Sequence, residues 1–69
     1  MTNNTNHNWT KTGVEHAICK ILIGKERDYI DLDCTEATPS NRRAVCRWAS
    51  EFGHRAELVQ EKSVRIYKK

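Results

Sequence analysis

Apolar positions in this chain follow two rhythms, one of about 3.6 residues and one of two, and the rhythms alternate. Val14, Ala17, Ile18, Ile21 and Leu22 sit at i, i+3, i+4, i+7 and i+8, which puts them on one face of a helix. Thr12 and Glu15 form a Thr-x-x-Glu capping box ahead of that pattern and Gly24 follows it, so the spacing predicts a helix over residues 13–23. Over residues 29–34 the period drops to two. Ile30, Leu32 and Cys34 fall on one side and Tyr29, Asp31 and Asp33 on the other, the pattern of a half-buried strand. The helical period returns at Val45, Trp48, Ala49 and Phe52. Thr38 is placed to cap this second helix, Pro39 suits its first position because a missing N–H does no harm there, and Gly53 can close it in the left-handed conformation. These signals bound it at residues 39–52. Strands over residues 55–59 and 64–68 then bury Ala56 and Leu58, and Val64 and Ile66, around a polar turn at Gln60, Glu61, Lys62 and Ser63.

The element order is helix, strand, helix, strand, strand. If the last strand lies between the other two, every pairing is antiparallel and both helices cover one face. The prediction is a small two-layer α+β domain, a three-stranded antiparallel sheet with two helices packed on one side. Trp48 and Phe52 are expected in its core. The outer face of the sheet would set Asp31 and Asp33 beside Arg65, and Arg65 beside Glu57 and Arg55, as cross-strand ion pairs. We prefer that role to a nucleic-acid platform although Tyr29 and Tyr67 also point outward. Residues 1–11 are polar, rich in Asn and Thr, and aperiodic, so they are predicted as a disordered tail in which Trp9 alone could dock, leaving the domain to residues 12–69.

Composition narrows the possibilities. A chain of 69 residues forms one domain, and at this size only about 60% of the unfolded surface is buried, too little to enclose a deep pocket. No apolar run approaches the roughly 20 residues of a membrane-spanning helix, and the N-terminal residues lack a basic segment followed by an apolar one. An intracellular protein, not bound to a membrane, is expected. Three cysteines, Cys19, Cys34 and Cys46, cannot all pair within one chain and form no Cys-x-x-Cys knuckle, so reduced, buried or half-buried thiols are expected. A zinc site from His16, Cys19, Cys34 and Cys46 matches no structural zinc spacing, and no cofactor or metal is expected. No nucleophile has a base and an orienting group at a recognisable spacing, so catalysis is not expected either.

Charge is unevenly distributed. Residues 13–37 carry three positive and six negative side chains, a net of −3, whereas residues 38–69 carry eight and three, a net of +5. A basic surface therefore belongs to the second half, although scattered cations also merely solvate small domains. On the second helix, 100° per residue places Arg42 at the rim of the apolar face, Cys46 one turn further along that rim, and Arg43 and Arg47 toward solvent. The first N–H groups, at Ser40, Asn41 and Arg42, lack helical partners, so with the helix dipole and the arginines this end could hold a phosphate. Arg47, Arg55, Lys68 and Lys69 would extend the field, and Arg65, Lys68 and Lys69 are expected as secondary contacts. Arg42 could instead cap the core edge with its stem and pair with Glu36 or Asp33. Cys46, beside Arg42 and Arg47, could carry a lowered thiol pKa.

The stretch Asn41-Arg42-Arg43-Ala44-Val45-Cys46-Arg47-Trp48-Ala49-Ser50-Glu51-Phe52-Gly53 resembles the R-three-H family, small domains named for an arginine and a histidine three residues apart. The likeness extends over residues 14–68, through the strand entering the motif helix and the closing Ser63-Val64-Arg65-Ile66-Tyr67-Lys68. It implies the same two-layer fold and the binding of single-stranded RNA or DNA with little sequence preference. The family arginine falls on Arg42. The histidine position is filled by Cys46, and the turn before the last strand lacks the glycine often found there.

The expected function is thus a binding module that grips single-stranded nucleic acid through its phosphates, using Ser40, Asn41, Arg42, Arg43, Cys46, Arg47, Arg65 and Lys68. A protein-interaction or inhibitor module presenting the same basic helix to an acidic partner is the alternative. A monomer is expected.

Overall fold

A computed structural model describes residues 8–69. The tail predicted over residues 1–11 lies outside the described residues for its first seven positions. The chain then forms α1 (Lys11–Ala17), which runs into a π-helical segment (Ile18–Ile23), β1 (Tyr29–Asp33), α2 (Pro39–Glu51), β2 (Ala56–Val59) and β3 (Ser63–Tyr67). The result is the predicted two-layer α+β domain, and among the described residues no helix is long and apolar enough to cross a membrane.

Thr10, not Thr12, caps α1. Its extended backbone and its hydroxyl, which accepts the Gly13 N–H at 3.0 Å, start the helix two residues before the expected position. The cause is tertiary. The Trp9 N–H donates to Asn41 Oδ1 at 2.8 Å, Asn41 Nδ2 donates back to the Trp9 carbonyl at 2.9 Å, and the indole Nε1 donates to the Asp33 carbonyl at 3.0 Å. Residues 8–11 are therefore part of the domain, not of a tail.

The second half of the first helix departs from the 3.6-residue period. Gly24 N–H donates to the Cys19 carbonyl and Arg27 N–H to the Leu22 carbonyl, both at 2.9 Å and both spanning five residues, the pattern of a π-turn. The wider turn keeps Val14, Ile18 and Leu22 buried at a spacing of four, but it swings Ile21 and Ile23 into solvent, where Ile23 is 55% exposed. Ile21 is thus not the core residue that its position implied, and Cys19 is likewise exposed. Gly24 permits this geometry through close approach alone, since its φ of −62° is an ordinary right-handed value. A Cβ there would lie 2.6 Å from the Lys20 carbonyl oxygen. Gly24→Ala is expected to cost about 1–3 kcal/mol by forcing the backbone to shift, seen as a lower urea midpoint at unchanged slope.

α2 is bounded as its sequence signals indicate. Thr38 Oγ1 accepts the Asn41 N–H at 3.1 Å, and Pro39 occupies the first turn. At the other end Gly53 takes φ +89°, Gly53 N–H donates to the Ser50 carbonyl and His54 N–H to the Ala49 carbonyl, each at 2.9 Å, which is a Schellman motif. Val45 and Ala49 are fully buried. Trp48 and Phe52, expected in the core, pack half-buried at its margin, because two helices over three short strands cover only the middle of the sheet.

The sheet has the order β1-β3-β2, antiparallel throughout, with Ile30, Ile66 and Ala56 in one cross-strand row and Leu32, Val64 and Leu58 in the next. Ile30, Leu32, Val64 and Ile66 face the helices and are buried. Leu58, predicted as core, is 43% exposed because β2 is an edge strand that the helical layer overhangs only in part. Gln60, Glu61 and Lys62 close the β2–β3 hairpin, with φ of +55° and +56° at Gln60 and Glu61 and the Lys62 N–H donating to the Val59 carbonyl at 3.1 Å, and no glycine eases these left-handed positions.

Candidate nucleic-acid interface

α2 carries most of the predicted site residues, and the structure separates those that are committed from those that are available. Arg42 is committed. Its Nε donates to the Cys34 carbonyl at 3.0 Å and its Nη2 to the Thr35 carbonyl at 3.3 Å, so the guanidinium fastens the segment leaving β1 to the helix. These backbone partners differ from the carboxylates expected of a rim arginine. Asp33 is engaged elsewhere, its Oδ1 accepting the Thr35 N–H at 3.0 Å and the Thr35 hydroxyl at 2.6 Å, bonds that hold its carboxyl below the usual range. Arg42→Ala is expected to cost about 0.5–1.5 kcal/mol, since the Cys34 carbonyl keeps the Ala37 N–H at 3.1 Å and the Thr35 carbonyl is exposed to water. Arg42→Lys should recover little, because an ammonium lacks the planar fork, and urea denaturation of both variants checks this.

The helix N-terminus is not open to a phosphate in the way its free N–H groups suggested. The Asn41 N–H is taken by Thr38 Oγ1 and the Arg42 N–H donates to the Thr38 carbonyl at 3.0 Å. The Asn41 side chain is held by both backbone groups of Trp9, and Asn8 Oδ1 accepts the Thr38 N–H at 3.1 Å. The Asn8 and Trp9 segment therefore lies across this end of α2. Ser40 is exposed beside it.

Cys46 is half-buried against the core, and burial pushes its thiol up, the reverse of the lowered value expected beside arginines. Burial raises the Cys34 thiol as well, with the Arg42 charge a smaller opposing influence. Both sulfurs are thus protonated at neutral pH and poorly reactive. Among the described residues no group of three or more His, Cys, Asp or Glu side chains could hold a metal ion.

Arg43 and Arg47 are exposed and lie one turn apart on α2. Arg47 Nε is 3.9 Å from Glu51 Oε2, a loose contact, whereas Lys11 Nζ holds Glu51 Oε1 at 2.9 Å and lowers that carboxyl's pKa. Beside Arg43, Pro39, Arg42, Leu58 and Glu61 complete a groove of about 240 Å³ between the start of α2 and the end of β2. Pro39, Leu58 and Glu61 were not legible as site residues. Strand alternation assigns Leu58 to the core, and only the edge position of β2 turns it into groove wall.

The remaining predicted residues lie elsewhere. Arg65 projects from the outer face of the sheet, where Nε meets Asp31 Oδ1 at 2.9 Å and Nη2 meets Oδ2 at 3.3 Å, and its guanidinium stacks 4.4 Å from the Tyr29 ring centroid. Arg55 covers Tyr67 at 4.9 Å, and the Tyr67 hydroxyl donates to Glu57, which raises the phenol's pKa. The sheet separates this cluster from α2. Lys68 is exposed beyond the Tyr67 end of β3, where its N–H donates to the Asp28 carbonyl at 2.8 Å, and the Lys69 side chain lies against Gly53. The predicted site residues thus do not form one surface. Arg43 and Arg47 with the adjoining groove are the part that the fold brings together.

Comparison of the chain with protein-family models, characterised proteins and solved structures finds no match.

Proposed function

We propose that the protein binds single-stranded RNA or DNA through its phosphates, with little sequence preference, using the exposed face of α2. The observation that carries this reading is the pairing of two available arginines, Arg43 and Arg47, with a groove in which Pro39 and Leu58 supply apolar surface beside Arg42 and Glu61. Phosphates would meet the guanidinium groups while an unstacked base covers Pro39 and Leu58, a combination that suits single strands better than duplex. The likeness to the R-three-H family points the same way, with Arg42 in a supporting role and Cys46 replacing the histidine by a side chain that neither stacks nor carries charge.

The test is a titration with labelled single-stranded RNA, single-stranded DNA and duplex at several salt concentrations. Two phosphate contacts on a single strand give an expected slope of about −1.4 in log affinity against log salt, and the affinity should be much the same for unrelated sequences. No binding to either single strand at low salt would refute the reading. An acidic protein using the same face would then be the alternative, distinguished by an apolar contact that survives salt.

A further inference from the structure

The free edge of β1 is a surface that the nucleic-acid reading leaves unused. Cys34 N–H donates to the Lys62 carbonyl at 2.7 Å and Lys68 N–H to the Asp28 carbonyl at 2.8 Å, one at each end of the β1–β3 ladder. The even-numbered residues therefore turn their backbone groups toward β3, and alternation turns the N–H and C=O of Tyr29, Asp31 and Asp33 outward. Trp9 Nε1 occupies the Asp33 carbonyl. Among the described residues nothing bonds the outward groups of Tyr29 and Asp31. A groove of about 490 Å³ runs along this edge, lined by residues 27–32 and by Ile21 of the π-helical segment. Ile21 and Tyr29 are both exposed there. Residues 28–34 contain no lysine or proline, the usual guards of a free edge.

We propose that β1 pairs with β1 of a second copy of the chain, antiparallel about a two-fold axis beside Ile30, joining two three-stranded sheets into one. This proposal does not depend on the nucleic-acid reading. Matching of the free backbone groups selects the register, because Arg27 N–H is already bonded to the Leu22 carbonyl, and the opposite charges at the two ends of that register fit a second copy of the chain. With Ile30 opposite Ile30 of the second copy, Tyr29 stands opposite Asp31, so the outward N–H and C=O groups of both residues are matched on each side of the axis. The same register sets Arg27 opposite Asp33 twice by symmetry. A shift of one residue in each chain that centres the axis on Asp31 would instead oppose two like carboxylates. A two-fold axis perpendicular to the sheet keeps both helical layers on one side, so the exposed Ile21 side chains of the two copies approach each other above the Ile30 pair.

The experiment uses the full chain. Light scattering from about 1 μM to roughly 1 mM protein should show the molar mass doubling, while amide exchange at Tyr29 and Asp31 slows by about tenfold or more over the same range. Arg27→Asp and Asp33→Arg should each weaken self-association by about tenfold, and an equimolar mixture of the two variants should recover a heterodimer in which every facing pair is complementary. A chain that stays monomeric at the highest concentration overturns the proposal. So does a dimer in which the Tyr29 and Asp31 amides still exchange freely, or protection of those amides that is independent of concentration, since each places something other than a second β1 at this edge.

Discussion

Ile66→Ala is expected to remove a large share of the protein's stability at 25 °C. Ile66 is fully buried on the central strand, opposite Ile30 on one side and Ala56 on the other, so its side chain is enclosed by both flanking strands and by the helical layer. Truncating such a residue removes its transfer free energy and leaves a cavity that the fixed pairing of β3 cannot close, a cost of about 2–5 kcal/mol. A chain of this length has a total stability of roughly 3–10 kcal/mol, so the loss is a large share of the whole. Leu58→Ala, in the next cross-strand row on the exposed edge strand, removes a similar side chain and should cost under about 1 kcal/mol. Urea melts followed by circular dichroism compare the two. Equal losses would mean that the sheet order or the burial assigned to β3 is wrong. Trp48→Ala falls between them, because its ring is only half-buried at the core margin.

The second large effect concerns binding. Arg43→Glu combined with Arg47→Glu should lower single-strand affinity by about a hundredfold or more at low salt, since two attractive phosphate contacts become repulsive, and should abolish most of the salt slope. Both side chains are exposed and Arg47 has only the loose contact with Glu51, so the melting temperature should change little. Arg42→Ala makes the contrast. It should lower stability directly and affinity only as far as the loop after β1 loosens, because its donors already meet the Cys34 and Thr35 carbonyls. Unchanged affinity in a folded Arg43 and Arg47 double variant would remove α2 as the nucleic-acid surface.

How much of this was legible beforehand depends on the range over which each signal acts. The caps of α2, its closing glycine, the alternation of β1 and the β2–β3 hairpin all follow from residues that are near one another in sequence, whereas the place of β3 between β1 and β2 was only a condition of the predicted layout. The site was only partly legible. Helical geometry identifies Arg43 and Arg47 as solvent-facing, but it also puts Arg42, Asn41 and the helix N-terminus into the same surface, and those are claimed by the Cys34 and Thr35 carbonyls, by Trp9 and by Asn8. Their claimants are separated from them by up to 32 residues, and no periodicity reports such contacts.

What the sequence by itself determined is the set of elements and their faces, because backbone period, capping and turn chemistry are local and each needs only a few neighbouring residues. Tertiary structure alone decided which of those faces are covered. It placed Leu58 on an edge strand and so in a groove, put Arg65 across the sheet from α2, and moved the start of α1 to Thr10 by anchoring Trp9. It also widened the end of the first helix into a π-turn that releases Ile21 to the surface. Burial is a property of packed layers with limited area, and two helices over three short strands cannot cover every side chain that an apolar pattern nominates.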